Sequence, residues 1–271
     1  MPDVFQFIDD IDADKRDMVI TRLEGRAQMP KFAAIRNRYF DAVGLPLAGS
    51  IHELGCGTGA VCRAIAMRPG FTGTVVGSDL SADLIEKAIE LAADAGLGTI
   101  EFHQADGQGS DAHDGQYDLV LAHTVISHVV DPVAFVQEAI RLAKPGGKIV
   151  IHDGDYASLT FDTGNPDLDR VMPGRYMKAM VANPHVMREM PRLLKQFDVT
   201  VTLAIGDVVV EAGTGDYFTS LAENYGPIAV AAGVVDQADF TAWMEDIARA
   251  QSENAFFGSC NFVTYCLVKP G

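Results

Sequence analysis

The sequence predicts an α/β fold with a mostly parallel, seven-stranded sheet, helices on both of its faces and a helical cap. Between residues 50 and 152, short apolar runs alternate with amphipathic segments, an order typical of parallel strands joined by helices. Two later strand-like runs, at 198–210 and 260–268, enclose a segment of helical character at 216–255. Five strand-and-helix steps followed by a late pair of strands therefore predict one extended sheet.

The predicted elements follow in chain order. Residues 10–44 form one or two helices, with breaks expected at Gly25 and Pro30 because glycine and proline disfavour helix interiors. Ser81 and Asp131 are expected to cap two later helices, the second of which has Pro132 in its first turn. The first five strands are expected at 51–54, 73–78, 99–104, 117–122 and 147–152, and the remaining helices at 59–68, 82–95, 132–143 and 184–195.

Composition limits the classes of function. The chain has 271 residues, of which 48% are hydrophobic and 21% charged, as in an ordinary globular protein. A net charge of −16 argues against nucleic acid as a partner, because such binding depends on lysine and arginine that neutralise phosphates. The N-terminus lacks a secretion signal and no apolar run reaches about 18 residues, so we expect a cytoplasmic protein without a membrane span.

The cysteines do not indicate a metal site. They match no zinc spacing and lie in apolar runs, which is typical of buried, reduced thiols. The four are Cys56, Cys62, Cys260 and Cys266.

A glycine-rich turn follows the first predicted strand, in "IHELGCGTGAVCRAIA" at residues 51–66. Gly55, Gly57 and Gly59 lie between a strand and a helix, where glycine permits a positive φ and a close approach of ligand to backbone. The turn also fits a dinucleotide fingerprint, with Asp79 at the expected distance, whereas no Gly-Lys-Ser/Thr follows as a P-loop would need. The turn alone leaves open whether the ligand is NAD or another nucleotide.

Five motifs in register extend this pattern over residues 50–152. They are "HELGCGTG", "VVGSDLS", "FHQADGQ", "YDLVLAHTVISHVVDP" and "LAKPGGKIVI". The chain thereby resembles the class I S-adenosylmethionine-dependent methyltransferases, in particular the group that includes the ubiquinone and menaquinone biosynthesis enzymes. The resemblance implies a Rossmann-like fold, S-adenosylmethionine as cofactor, S-adenosylhomocysteine as product, and methyl transfer to an oxygen, nitrogen or carbon nucleophile of a small metabolite. It also allows a homodimer.

Two other classes of function stay open at this point. One is a nucleotide-dependent oxidoreductase, which the dinucleotide fingerprint allows. The other is a protein that binds the cofactor without transferring a methyl group. Asp106, the "KPGG" turn and the late strand pair argue against the oxidoreductase.

The same motifs provide the candidate cofactor-binding residues. Asp79 ends the second strand, where a carboxylate can accept both ribose hydroxyls, and Asp106 with the Gly107 amide can pair with adenine. By resemblance, Glu53 orients the glycine turn and the methionine amino group. Arg26 is the candidate clamp for the methionine carboxylate. The full predicted set is Arg26, Glu53, Gly55, Gly57, Gly59, Asp79, Leu80, Asp106, Gly107 and His123.

Three residues are candidates for handling the acceptor's proton. Histidine suits this task because its unperturbed pKa is about 6.5. We rank His128 first and His123 second, since both follow the fourth strand, with Asp153 as an orienting carboxylate or an alternative base. Candidates for contact with the substrate follow or end the fifth strand, namely His152, Asp153, Asp155 and Tyr156.

The extra sequence lies mostly at strand ends, which suggests that it covers the ligand. We expect a single domain over residues 1–271, since no linker or repeat divides the chain. Within it, residues 1–45 form an N-terminal helical cap, residues 46–155 the cofactor-binding core, and residues 156–271 the rest of the sheet with helical lid insertions.

Overall fold

The computed structural model describes residues 3–6, 8–11 and 13–271. Residues 1, 2, 7 and 12, which belong to the predicted cap, lie outside the described residues. The strands are β1 (Ser50–Leu54), β2 (Thr74–Asp79), β3 (Glu101–Gln104), β4 (Tyr117–His123), β5 (Ala143–Asp162), β6 (Thr200–Gly213) and β7 (Phe256–Val268). The helices are α1 (Ala13–Gln28), α2 (Pro30–Val43), α3 (Ala60–Ala66), α4 (Ala82–Asp94), α5 (Pro132–Leu142), α6 (Pro166–Met180), α7 (Val186–Leu193), α8 (Asp216–Ala231) and α9 (Gln237–Ser252).

The seven strands form one sheet in the order β3-β2-β1-β4-β5-β7-β6. The first five strands are parallel to their neighbours, and β7 lies antiparallel between β5 and β6. The predicted α/β class, with a seven-stranded, mostly parallel sheet and helices, is confirmed. The carboxyl ends of β1, β2, β3 and β4 meet at one edge, where open sheets of this kind bind ligands.

Apolar side chains on both faces of the sheet hold the helices against it. One cluster contains Phe135 and Val136 of α5 together with Met187 of α7, all of which are buried. The larger cluster contains Phe32 and Tyr39 of α2 and extends to α3, α4, α6, α8 and α9. Burying such side chains contributes roughly 1.5–3 kcal/mol each, so the two clusters fix the helices that border the ligand-binding edge.

The predicted helix break at Gly25 is wrong, because α1 runs through it to Gln28. The break lies at Met29, and α2 begins with Pro30 at its first position. Glycine inside a helix lowers the stability by about 1 kcal/mol relative to alanine. Contacts of the neighbouring Glu24 with α3 and the glycine turn stabilise this part of α1 against that cost. The Glu24 carboxylate accepts from the Thr58 hydroxyl at 2.5 Å and from Arg63 Nη2 at 2.6 Å.

The fifth strand is longer than the prediction of 147–152. It continues to Asp162, and its second half pairs with β7, for example Phe161 with Gly258. The register of this pairing shifts between Asp155 and Thr160. After it, residues 166–180 form the helix α6, with Pro173 inside it.

Within the described part of the chain, no helix is long and apolar enough to cross a membrane. The same residues contain no group of three or more histidine, cysteine or acidic side chains that could hold a metal ion. All four cysteines are free and buried.

Candidate active site

A cleft of about 270 Å³ opens at the carboxyl ends of the central strands. Turns after β1, β2, β3 and β4 form its floor, while α1, α2 and the N-terminal residues Phe5 and Gln6 close it from the other side. Most residues predicted from the sequence line it, namely Arg26, Glu53, Gly55, Gly57, Asp79, Leu80, Asp106, Gly107, His123 and His128. Gly59 and Asp153 do not belong to this lining.

The three glycines of the first turn have different local roles. All three have positive φ, at 68°, 52° and 74° for Gly55, Gly57 and Gly59. A Cβ on Gly55 would lie 2.2 Å from Val125 Cγ2, and one on Gly59 would lie 2.7 Å from Phe102 Cζ, so both allow close packing. A Cβ on Gly57 would meet only Leu23 Cδ1, at 3.6 Å. Gly57 is therefore the glycine that keeps the cleft open beside the turn.

Asp79 connects the end of β2 to this turn. Its Oδ2 accepts from the Gly57 amide at 2.8 Å, and its Oδ1 accepts from the Ser81 amide at 3.0 Å. Burial raises the pKa of the Asp79 carboxyl, although these amides oppose the shift. Each oxygen has a second lone pair, so the side chain can hold the turn and still accept from a ligand.

Asp106 lies on the turn after β3 and is exposed. Its Oδ1 accepts from the Gln108 amide at 2.9 Å, which orients the carboxylate. Gly107 packs so closely on Phe135 that a Cβ would lie 2.7 Å from the ring. The pair therefore presents a carboxylate next to an aromatic wall of the cleft.

Glu53 is a buried carboxyl within β1, with only 1% of its surface exposed. Its Oε2 accepts from the Cys62 thiol at 2.9 Å. Burial raises its pKa to about 8, above the ordinary value of 4.5. At neutral pH the carboxyl is therefore mostly protonated when no ligand is bound.

The raised pKa of Glu53 predicts a pH-dependent stability difference. Between pH 4.5 and 8 the unfolded chain releases a proton that the folded chain keeps, so the free energy of unfolding falls as pH rises. Glu53→Gln removes this titration and should be more stable than the wild type by ~3 kcal/mol at pH 7, with little difference below pH 4.5. Denaturant unfolding across pH 4 to 8, without added cofactor, measures the difference. Glu253→Gln, at an exposed site, is the control. If the free energies of unfolding of the wild type and of Glu53→Gln changed with pH in parallel, the raised pKa would not belong to Glu53.

His123 ends β4 and lines the cleft. Its Nδ1 lies 2.8 Å from the Tyr39 hydroxyl, and its ring stacks on His152 with centroids 4.7 Å apart. Burial, with His152, Arg26 and Arg36 nearby, holds the pKa of His123 well below its usual range. Burial also raises the pKa of Tyr39 well above 10, so its hydroxyl stays protonated, and the tautomer of the neutral His123 ring decides which of the two groups donates.

His128 has a carboxylate partner that sequence reasoning missed. Its Nδ1 lies 2.7 Å from Asp3 Oδ2, and the Asp3 side chain is fully buried. Gln6 donates to the His128 carbonyl at 2.6 Å, and the Phe5 ring packs on the imidazole with centroids 4.6 Å apart. Because a carboxylate accepts, Nδ1 carries a hydrogen, and in the neutral imidazole Nε2 therefore has the free lone pair. Asp3 is 125 positions away from His128 in the chain, so no local spacing could have indicated the pair.

The residues predicted for substrate contact after β5 lie elsewhere. Asp153 is fully buried, and its oxygens accept from the amides of Ser127 and Gly154 at 3.0 and 2.7 Å. It therefore positions the segment next to His128, and its place in the sheet argues against a role as base. His152, Asp155 and Tyr156 are also buried and line no part of the cleft, because β5 continues as a strand where a loop was expected.

Arg26 reaches the cleft from α1. Its Nη2 donates to Thr124 Oγ1 at 2.7 Å. Thr124 has a φ of 54°, a rare conformation for a β-branched residue and one that marks strain at the end of β4. Two further arginines, Arg22 and Arg36, line the same cleft and were not among the predicted site residues.

A strand such as β7, antiparallel between β5 and β6, is typical of Rossmann-like methyltransferase domains. So is a glycine turn with acidic residues at the strand ends beside it, here Glu53 and Asp79. The chain belongs to the methyltransferase domain family, whose model matches residues 49–249.

Individual relatives agree with this membership. An uncharacterized 37.1 kDa protein of transposon TN4556 in Streptomyces fradiae is 28% identical over 210 residues, which are 77% of this chain and 60% of that protein. The ubiquinone biosynthesis O-methyltransferase of Methylococcus capsulatus is 31% identical over 141 residues, 52% of each chain. The match thus spans about half to three fifths of the length of these curated relatives.

Solved structures share the fold at low sequence identity. A protein of Bacillus halodurans C-125 has a TM-score of 0.63 at 16% identity, over 87% of this chain and 99% of that chain. The geranyl diphosphate C-methyltransferase of Streptomyces coelicolor A3(2) has a TM-score of 0.54 at 16% identity, over 88% of this chain and 76% of that chain.

Proposed function

We propose that this protein transfers a methyl group from S-adenosylmethionine to an oxygen, nitrogen or carbon nucleophile of a small organic molecule. The observation that supports the proposal most is the convergence of Gly57, Asp79 and Asp106 on one cleft, with His123 and His128 on its opposite side. Membership of the methyltransferase family supports it further, as does the S-adenosyl-L-homocysteine bound to the Streptomyces coelicolor neighbour.

The cleft residues fit this cofactor chemically. Asp79 retains lone pairs for ribose hydroxyls, and Asp106 can accept from an adenine amino group. Arg26 can bind the methionine carboxylate through the donors that Thr124 does not use. When bound, the cofactor supplies an electrophilic methyl group on a sulfonium centre.

The proposed chemistry of the chain itself is positioning and proton removal. Asp3 holds His128 so that Nε2 can accept a proton from an acceptor hydroxyl or amine, a carboxylate–histidine arrangement that serves general bases. His123, whose neutral ring lies beside the Tyr39 hydroxyl, is the second candidate. Much of the rate enhancement in such a transfer comes from holding the two reacting atoms about 3–3.5 Å apart in a closed site.

The wider setting is also part of the proposal. We place the protein in the cytoplasm, which the four free, buried cysteines support, and regard it as one domain in which α1, α6 and α8 cover the acceptor. The net charge of −16 supports a small molecule rather than nucleic acid as the partner, and a homodimer is compatible with the proposal.

Ligand-dependent melting separates this function from its rivals. S-adenosylhomocysteine at 100 times its dissociation constant should stabilise the protein by about 2.7 kcal/mol, whereas NAD should not, because only a ligand that binds the fold shifts its melting. Asp79→Asn should weaken S-adenosylhomocysteine binding about 10- to 100-fold in calorimetry, since a charge-assisted hydrogen bond contributes ~1.5–3 kcal/mol. A rise in the melting temperature with NAD but not with S-adenosylhomocysteine would favour an oxidoreductase. Binding of S-adenosylmethionine without transfer of a labelled methyl group to any component of a metabolite extract would favour a non-methylating protein.

A further inference from the structure

Three arginines on one side of the cleft have no carboxylate partner among the described residues. Arg26 donates to Thr124 Oγ1, Arg36 donates to the Ala27 carbonyl, and Arg22 donates to the Tyr225 hydroxyl. The Nε of Arg36 is buried without a hydrogen-bond partner, and the Arg22 guanidinium lies 4.3 Å from the centre of the Tyr225 ring.

This lack of acidic partners is unusual for the chain, which has 37 acidic residues against 21 basic ones. Eight arginines elsewhere in the fold have an acidic partner, such as Arg63 with Glu24 and Arg188 with Asp155, and the two for which the described residues provide none, Arg170 and Arg192, are exposed. Arg38, two positions beyond Arg36 on the same helix, pairs with Asp207. The cleft therefore keeps three guanidinium groups available for a ligand.

The acidic residues of the cleft do not compensate this charge. Asp79 ends β2 and Asp106 follows β3. Arg26 is bound instead to Thr124, which follows β4, on the other side of β1 in the sheet. Glu53 lies between these groups, and burial holds its pKa at about 8, so it carries little negative charge at neutral pH. A bound S-adenosylmethionine has a net positive charge and would leave the arginine side more positive still.

We propose that the methyl acceptor is a small-molecule anion whose carboxylate or phosphate group binds Arg22 and Arg36. The inference rests on the proposed function, in which Arg26 binds the cofactor carboxylate and leaves the other two guanidinium groups for the acceptor. Planar guanidinium groups match carboxylate and phosphate oxygens in a bidentate geometry, which makes arginine suited to both.

A second cavity gives space for the rest of the acceptor. This cavity lies between α1 and α8 and has a volume of about 570 Å³. Arg22 and Arg26 line it as well as the cleft. Met18, Met29 and Tyr217 supply apolar surface there, and the exposed carboxylates Asp14 and Asp17 also border it. An acceptor with an anionic group at the arginines and an apolar body toward α8 fits this arrangement.

Anion binding by the protein saturated with S-adenosylhomocysteine tests the inference. The probes are benzoate and phenyl phosphate, each compared with a neutral counterpart, benzamide or phenol, at constant ionic strength. We expect the anions to bind, the neutral compounds to bind much more weakly, and Arg22→Gln or Arg36→Gln to raise the Kd of the anions about 10- to 100-fold. The better of the two anions identifies a carboxylate or a phosphate as the preferred group.

Matched variants make the result specific. Arg38→Gln removes an arginine of the same helix outside the cleft and should leave anion binding unchanged. Arg36→Lys keeps the charge without the planar fork and should restore part of the affinity. Circular dichroism and S-adenosylhomocysteine binding confirm that each variant is folded.

The outcomes separate the two proposals. Failure of the wild type to bind S-adenosylhomocysteine would overturn the proposed function. Normal S-adenosylhomocysteine binding with anion affinities that match those of the neutral compounds, or that persist in the double variant Arg22→Gln, Arg36→Gln, would overturn only the anionic acceptor.

Discussion

Gly57→Val should abolish measurable binding of S-adenosylhomocysteine, a loss of more than ~1,000-fold or about 4 kcal/mol. Gly57 has a φ of 52° on the turn that lines the cleft, and a Cβ there would point into open space with only Leu23 Cδ1 within 4 Å. A valine would fill that space with two methyl groups. It would also strain the backbone by about 1–2 kcal/mol and thereby displace the amide that Asp79 accepts from.

Gly146→Val is the matched control for this variant. Gly146 also has a positive φ, at 72°, and nothing within 4 Å of its Cβ position, but it lies outside the cleft. Both variants should lose similar thermal stability from backbone strain, while only Gly57→Val should lose ligand binding in calorimetry. Retention of near wild-type affinity by Gly57→Val would remove this turn from the cofactor site.

The parts of the fold that follow from local patterns were predictable. β1, β2 and β4 are short runs with buried apolar residues, and each lies within one residue of its predicted bounds. The glycine turn and the acids after β2 and β3 are close to strands in sequence, so their meeting at one edge follows from parallel topology.

The parts that depend on distant contacts were not predictable. Asp3 meets His128, and Tyr39 meets His123, only after the N-terminal residues and α2 have folded over the sheet. The extension of β5 depends on its pairing with β7, which a polar sequence such as "HDGDYASLTF" does not indicate by itself. Polar side chains such as His152, Asp153 and Asp155 can occupy that buried strand because they find partners, as the Asp155 carboxylate does with Arg188 at 2.6 and 2.8 Å.

Arg22 and Arg36 show a different limit of sequence reasoning. Their helices look like a solvated, basic face, and arginines on such a face normally find acidic partners in a chain of this composition. What distinguishes Arg22 and Arg36 is that the described residues give them no acidic partner. Only the structure can show this, because it gives the position of every nearby carboxylate that it describes.

His128→Gln should lower kcat by about 10²–10⁴-fold while leaving the affinity for S-adenosylhomocysteine intact, if the acceptor loses a proton during transfer. Glutamine has similar reach and polarity but cannot accept a proton near neutral pH. Asp3→Asn should cause a smaller loss of kcat, because it keeps the shape of the partner and removes only the charge that orients Nδ1 of His128. Labelled-methyl turnover from pH 6 to 9 measures both effects.

The pH profile of these variants distinguishes a base from a structural histidine. A base makes kcat rise with pH as it loses its proton, and His128→Gln should flatten that rise, while a residue that only holds the N-terminal segment would change stability without changing the profile. His103→Gln, with an exposed imidazole outside the cleft, should match the wild type. If His128→Gln turned over at the wild-type rate across this range, proton removal would not need His128. An acceptor that is already an anion beside Arg22 and Arg36 would then account for the reaction, because holding it against the methyl group would suffice.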